Sequence, residues 1–226
     1  MLLSSLRPLR DLVWPAACAA CGVAGRVLCP RCALDVAEQA DLRRHAPTPP
    51  PPGFPPTLTW GGYAGALRRI VVAHKDEDRT DIEPVLAALL GEVVDAAIEE
   101  LEDPVLVPMP SSAASRRARG REPLLDVTRR IRTARPTRIA PVLRIVRRVR
   151  DQAGLDHHER RANLAGSMGL VRGAESVLAG VDVVLVDDVV TTGSTLAEAR
   201  RALHTGSPDD PRSVHAAVIC ATARRM

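Results

Sequence analysis

The stretch Val184-Leu185-Val186-Asp187-Asp188-Val189-Val190-Thr191-Thr192-Gly193-Ser194-Thr195 constrains the fold more than any other part of the 226-residue chain. Val183 to Val186 is a run of β-formers too short for a helix, and it meets two acids where a parallel strand emerges at its carboxyl edge. That edge is where open α/β sheets bind ligands. Thr191 to Thr195 follow and lead into Leu196-Ala197-Glu198-Ala199-Arg200, a helix start. Backbone N–H groups there, together with three threonines, one serine and a glycine that lets the backbone close in, make a cradle for an anion such as phosphate or sulfate.

The rest of the chain alternates in keeping with such a strand. Glu83-Pro84-Val85-Leu86 opens a helix running to about Leu101, with proline in the first turn, and Val105 to Pro110 reads as a buried strand ended by proline. A helix from about Leu124 to Thr133 comes next, then strands near Ile139 to Leu143 and at Val181 to Val186, a helix from Leu196 to Leu203 and a strand at Val214 to Cys220. Alternation of this kind predicts a parallel α/β sheet flanked by helices. With 46% hydrophobic and 26% charged residues, the chain can bury a full core and is neither disordered nor fibrous. Ahead of this region, Pro47 to Pro56 is a stiff proline-rich spacer. Leu58 to Tyr63 is a plausible strand and turn, and Ala66 to Lys75 suits a short helix that resembles a lid more than a core. The expected organisation is a first unit at residues 1–46, a linker at 47–57 and an α/β domain at 58–226.

Four of the five cysteines fall in two pairs, Cys18-Ala19-Ala20-Cys21 and Cys29-Pro30-Arg31-Cys32. Each Cys-x-x-Cys turn points two thiolates at one ion, and four thiolates close a tetrahedral structural zinc site. The loop between the pairs is short, so a tight hairpin is required. Disulfides, an iron–sulfur cluster or an empty degenerate site are the alternatives. Cys220 reads as a buried strand residue.

The acid pair and the loop are spaced to hold opposite ends of one ribose 5-phosphate: Asp187 and Asp188 accept hydrogen bonds from vicinal hydroxyls and can orient Mg²⁺ beside an attached diphosphate. A helix cap on an unrelated α/β protein is the plainer reading. No Gly-x-x-x-x-Gly-Lys-Ser/Thr loop supports a nucleotide triphosphatase. The string resembles the phosphoribosyl diphosphate signature of type I phosphoribosyltransferases. That resemblance implies ribose contacts from Asp187 and Asp188 and phosphate contacts from Val189, Val190, Thr191, Thr192, Gly193, Ser194 and Thr195. After the strand ending at Pro110, Ser111, Ser112, Arg116, Arg117, Arg119 and Arg121 would face the diphosphate, though each arginine alone suits a solvated helix face. The polar stretch Arg150 to Leu164 has the length of a flap that excludes water from a reactive sugar centre. His157 and His158 read as surface residues.

Over nearly its whole length the chain looks like the ComF family, which joins an N-terminal zinc finger to a type I phosphoribosyltransferase domain with a small hood and is named for DNA uptake in natural competence. The features that carry this likeness are the four cysteines, the Trp60 to Lys75 segment, Val107-Pro108-Met109-Pro110 and the Asp-Asp-Val-Val-Thr-Thr-Gly string. In the flap, Gln152, Leu155, Arg160 and Asn163 match the family's Gln, Leu, Arg and Asn, and Lys75 matches its lysine. The resemblance implies phosphoribosyl diphosphate with Mg²⁺ as ligand, structural zinc, and single-stranded DNA or DNA-uptake proteins as partners. Two segments depart from the pattern. Arg119-Gly120 is followed by Arg121-Glu122-Pro123 where the family writes Phe-Asn-Gln, and Lys75 is followed by Asp76-Glu77-Asp78-Arg79 where it writes an aromatic and a Gly-Asp turn. Both a transferase with an unknown acceptor and a non-catalytic ligand or DNA-binding accessory protein fit these residues. Aromatic residues are only 2% of the chain, which leaves few stacking platforms for single strands. The net charge of +4 is a weak pull toward anions. Without an apolar run of membrane-spanning length, a cytoplasmic protein is expected.

Overall fold

The computed structural model describes residues 17–147 and 165–223. The elements, in order, are helix α1 (Pro30–Glu38), β1 (Ala40–Arg44), β2 (Thr57–Gly62), α2 (Gly65–Asp76), a 3-10 turn at Thr80–Ile82, α3 (Glu83–Ile98), β3 (Pro104–Pro108), α4 (Ala113–Arg119), α5 (Pro123–Thr128), β4 (Arg138–Ile139), β5 (Leu143–Ile145), β6 (Met168–Leu170), α6 (Glu175–Leu178), β7 (Asp182–Val190), α7 (Ser194–Leu203) and β8 (Ser213–Ala221). Six strands form one sheet in the order β1-β2-β8-β7-β3-β4. Only the β1–β2 pair is antiparallel within it. β5 and β6 form a separate antiparallel pair.

Strand β7 lies in the middle, hydrogen-bonded to β8 on one side and β3 on the other. Its apolar run is continuous because both faces are covered. Val184 and Val186 join the cluster with Leu67, Leu90 and Ile219, whereas Val183 and Leu185 pack with Leu196, Leu203 and Val107. That two-residue alternation also decides where the acids point: Asp188 shares the parity of Val184 and Val186 and so emerges on the α2 side.

The Trp60 to Lys75 stretch differs from the lid expected of it. β2 pairs in parallel with β8, and α2 buries Ala66, Leu67, Ile70, Val71, Ala73 and His74. Spaced by one and three to four residues, these side chains make one apolar stripe, and Leu67, Ile70 and Val71 join the buried cluster that holds Trp60, Leu90 and Ile219, so the helix is core. At its N-terminus α2 has no capping side chain of its own; Asp35 of α1 accepts from the Ala66 N–H at 2.9 Å instead. Past its C-terminus, Arg79 donates to the Ala17 carbonyl at 2.6 Å, immediately before Cys18. Both ends of α2 are thus tied to the cysteine-bearing segment.

Besides the short β6 and α6, two elements had no sequence signal. Every residue of β1 is exposed, so it lacks a hydrophobic period, and α1 starts inside the second cysteine pair. α5 stops at Thr128, short of the expected Thr133. Beyond it, Arg135 turns back to donate to the carbonyls of Ile98 at 3.0 Å and Leu101 at 2.9 Å, satisfying groups that the end of α3 leaves open.

Candidate phosphoribosyl site

Asp187 and Asp188 stand near the carboxyl end of β7, and the turn after it reaches Gly193, whose left-handed φ of 74° redirects the chain into α7. Gly193 has no room for a side chain either: a Cβ there would lie 2.6 Å from the Phe54 ring and 3.0 Å from Pro47. The proline-rich segment therefore packs directly against this loop. Thr192 and Ser194 are buried and bonded to each other, with Thr192 Oγ1 donating to Ser194 Oγ at 3.1 Å, while Thr191 and Thr195 face a cavity. Val190 is buried in the core, and Val189 lines the cavity.

That cavity has a volume of about 580 Å³ and opens over the carboxyl edge of the sheet. Asp187, Asp188, Thr191 and Thr195 line it together with Lys75 from the end of α2, Ser111 and Ser112 from the loop after β3, and Arg119 from α4. Lys75, Ser111 and Arg119 are remote from the acid pair in sequence; the parallel arrangement of β3 beside β7 brings Ser111 and Arg119 to it, and α2 brings Lys75. Gln152, Arg160 and Asn163 lie outside the described residues.

The charges in this cavity are organised around the acid pair. Lys75 Nζ sits 3.1 Å from one Asp188 oxygen and 3.2 Å from the other. Burial works to discharge Lys75, but the Asp188 and Asp187 carboxylates outweigh it and hold its pKa above the usual lysine value. Asp187 is pushed up to about 7, first by burial and then by the neighbouring Asp188 charge, with Lys75 opposing. The Cys220 thiol behind the pair is raised by burial and by both carboxylates, and it donates to the Asp188 carbonyl at 3.5 Å. Cys220 is thus an inert buried strand residue, as read from the sequence.

On the opposite wall, Ser112 caps α4 by accepting from the Ser115 N–H at 3.0 Å. Glu122 accepts from the Ser111 N–H at 3.2 Å and from Arg116 at 3.1 Å. Arg119 and Lys75 remain as the cavity's cationic side chains among the described residues. Such a set, two carboxylates paired with a lysine, a polar loop at a helix start and an arginine on the far wall, suits a phosphorylated sugar bearing a second anionic group. The acid pair offers hard oxygen donors, which fit Mg²⁺.

The four cysteines gather at the other side of α2. Cys18, Cys21, Cys29 and Cys32 place their sulfurs within 4.8 Å of one another, close enough to hold one metal ion. The tight hairpin required by the short loop is resolved in two halves: Cys18 and Cys21 sit on a turn closed by an Ala17–Ala24 bridge, and Cys29 caps α1, which carries Cys32 in its first turn. Burial acts against ionising Cys18, yet N–H groups, that of Cys29 foremost, bring it to about 6, while burial among the other thiols drives Cys32 up to about 12. Four sulfur ligands this close together fit a zinc ion.

Residues 128–225 match the family model described as the phosphoribosyl transferase domain. The fold is that of a phosphoribosyltransferase domain, a mostly parallel sheet flanked by helices, with a four-cysteine unit compatible with zinc ahead of it. The matched stretch contains the acid pair and the threonine loop. The fold adds β2, α2 and β3, with Lys75, Ser111 and Ser112, to the same sheet edge. A comparison with curated proteins returns no match. No helix among the described residues is long and apolar enough to cross a membrane.

Sequence reasoning missed three features beside the site. Phe54 backs the Gly193 loop, although nothing in a proline-rich stretch announces a packing role. Glu198, buried on α7, accepts from the Met168 N–H at 3.0 Å and from Arg201 at 2.7 Å, joining the β5–β6 pair to the helix that starts at the loop. Glu83 is buried at the start of α3 with Arg121 and Arg130 each 2.8 Å away. A charged residue at a helix start reads as a dipole partner in sequence, and only the fold shows it enclosed.

Proposed function

We propose that this chain binds phosphoribosyl diphosphate with Mg²⁺ and transfers the phosphoribosyl group to an acceptor, releasing diphosphate. The observation that carries this reading is the single cavity at the carboxyl edge shared by Asp187, Asp188, Thr191, Thr195, Ser111, Ser112, Arg119 and Lys75. Asp187 and Asp188 accept hydrogen bonds from the ribose hydroxyls. Backbone N–H groups of the loop through Val189, Val190, Thr191, Thr192, Gly193, Ser194 and Thr195 hold the 5-phosphate. Ser111, Ser112 and Arg119 face the diphosphate, and Lys75 balances the acid pair. Mg²⁺, when bound at the acid pair, supplies charge neutralisation for the leaving diphosphate.

The displacement develops positive charge on the ribose ring as the anomeric C–O bond to diphosphate breaks. Two carboxylates on the sugar's hydroxyl side stabilise that charge, and Arg119 offsets the negative charge gathering on the leaving group. Most of the acceleration comes from holding the sugar and its acceptor in line. The residues from Gln152 to Asn163 are assigned to a flap, and a role in DNA uptake is assigned, on the resemblance to the ComF family alone.

Incubation of the full chain with phosphoribosyl diphosphate, Mg²⁺ and a panel of bases and amines tests the transfer. Diphosphate is expected to appear faster with one class of acceptor than with water. Release no faster than in protein-free controls, across the whole panel, contradicts a transferase.

A further inference from the structure

We infer that Arg121 is a positioning residue: its ion pair with Asp78 clasps the two walls of the cavity together and sets the spacing between Lys75 and the Ser111–Arg119 wall. This rests on the phosphoribosyl reading of the cavity. The two segments involved are those in which the sequence departs from the pattern it resembles, and they meet each other across 43 positions of chain. Arg121 Nε and Nη2 lie 2.9 Å and 2.8 Å from the same Asp78 oxygen, and Nη1 lies 2.8 Å from Glu83. The guanidinium is only 17% exposed, and Glu83 is 3% exposed. The guanidinium is held among three carboxylates, Asp78, Glu83 and, at 3.4 Å, Asp126, and its largely buried head keeps its geometry better than a fully exposed pair.

The clasp sits just behind both walls. His74, Lys75 and Asp76 line one side of the cavity, and Asp78 follows them closely. Arg119 lines the other side, Gly120 turns the chain at a φ of 65°, and Arg121 comes next. Asp78 itself holds a φ of 53°, a left-handed conformation uncommon for a residue with a side chain. Such a backbone persists where surrounding contacts hold it, and the ion pair to Arg121 is one of them. Glu83 extends the network to Arg130 at 2.8 Å and toward His74 Nε2 at 3.6 Å, so the start of α3 serves as the fixed post of the clasp. Neither Arg121 nor Asp78 lines the cavity, which separates positioning from ligand contact.

The test compares the full, metal-replete chain with Asp78→Asn, Arg121→Gln, Arg121→Lys and the double Asp78→Asn/Arg121→Gln variant. Asp78 is half exposed, so its variant retains the fold, with a thermal midpoint expected within about 2 °C of the wild type. Without ligand, amide hydrogen exchange at residues 111–119 is expected to rise about fivefold in Asp78→Asn, and the phosphoribosyl diphosphate dissociation constant about tenfold. The double variant is expected to match Arg121→Gln, because Asp78 acts on the walls only through Arg121. Arg121→Lys is expected to fall between Arg121→Gln and the wild type. Exchange and affinity both unchanged in Asp78→Asn overturn the clasp, and so does faster exchange with unchanged affinity. If the wild type binds no phosphoribosyl diphosphate, the phosphoribosyl reading fails, and the ligand-free exchange comparison still decides whether the clasp exists.

Discussion

Replacing both acids, Asp187→Asn and Asp188→Asn, is expected to weaken phosphoribosyl diphosphate binding by at least about 100-fold, since each charge-assisted hydrogen bond contributes about 1.5–3 kcal/mol. Calorimetric titration reads this directly. The same pair gives a pH dependence whose sign follows from the Asp187 carboxyl at about 7. Below that pH the group carries a proton, presents fewer acceptor lone pairs to a diol and no longer attracts a cation, so affinity falls as pH drops, approaching tenfold per unit below about 6. For stability the sign is opposite. A carboxyl with a raised folded-state pKa binds its proton more tightly when folded, so the ligand-free chain loses stability as pH rises from about 4 to about 7. Asp187→Asn removes that loss and is expected to raise the ligand-free thermal midpoint at pH 8 by several degrees, while binding disappears. A variant with lower midpoint at pH 8 and unchanged affinity would contradict the role given to the pair.

Removing metal from the cysteine cluster is the second large effect. The purified chain is expected to carry one zinc ion, measured by elemental analysis. Its removal by a chelator, or a Cys32→Ser substitution, is expected to lower stability by roughly 3 kcal/mol, about 10 °C in thermal midpoint for a chain of this size. The consequence reaches the site because Asp35 caps α2 at Ala66 and Arg79 holds Ala17, while Cys18, Cys32 and Val36 pack in one cluster with Leu67 and Ile70 of that helix. α2 carries Lys75 against Asp188. Faster amide exchange in α2 after metal removal is therefore expected along with the lower midpoint. A metal-free chain with an unchanged midpoint and unchanged α2 exchange would reduce the cluster to an appendage.

The sheet edge was legible in sequence because one strand, two acids, a glycine and a helix start fall in a register that few folds accommodate. Val183 to Val186 revealed a strand covered on both faces, and Gly193 marked a turn that its φ of 74° and the nearby Phe54 ring both require. The alternation of Val105 to Pro108 with the helices around it was enough to place β3. What was hidden depended on contacts between distant segments. The stripe of α2 is compatible with a lid or a core, and only the buried cluster it joins, with Trp60, Leu90 and Ile219, decides between them. β1 has five exposed residues and is held by backbone hydrogen bonds to β2, which no side-chain pattern reports. Arg121 and Asp78 read as two separate losses from a motif, since a long-range ion pair has no signature at either position alone. Glu83 and Glu198 were invisible for the same reason: each is a buried carboxylate whose partners, Arg121 and Arg130 in one case and Met168 N–H and Arg201 in the other, are fixed by the fold.

Calorimetric titration of the metal-replete wild-type chain at pH 8 with phosphoribosyl diphosphate and Mg²⁺ decides whether the cavity above β7 holds that compound. Saturable heat at one site per chain, reduced when ribose 5-phosphate replaces the diphosphate and absent with inorganic sulfate at the same concentration, is the predicted result. No heat with phosphoribosyl diphosphate, or equal heat with sulfate, would contradict it.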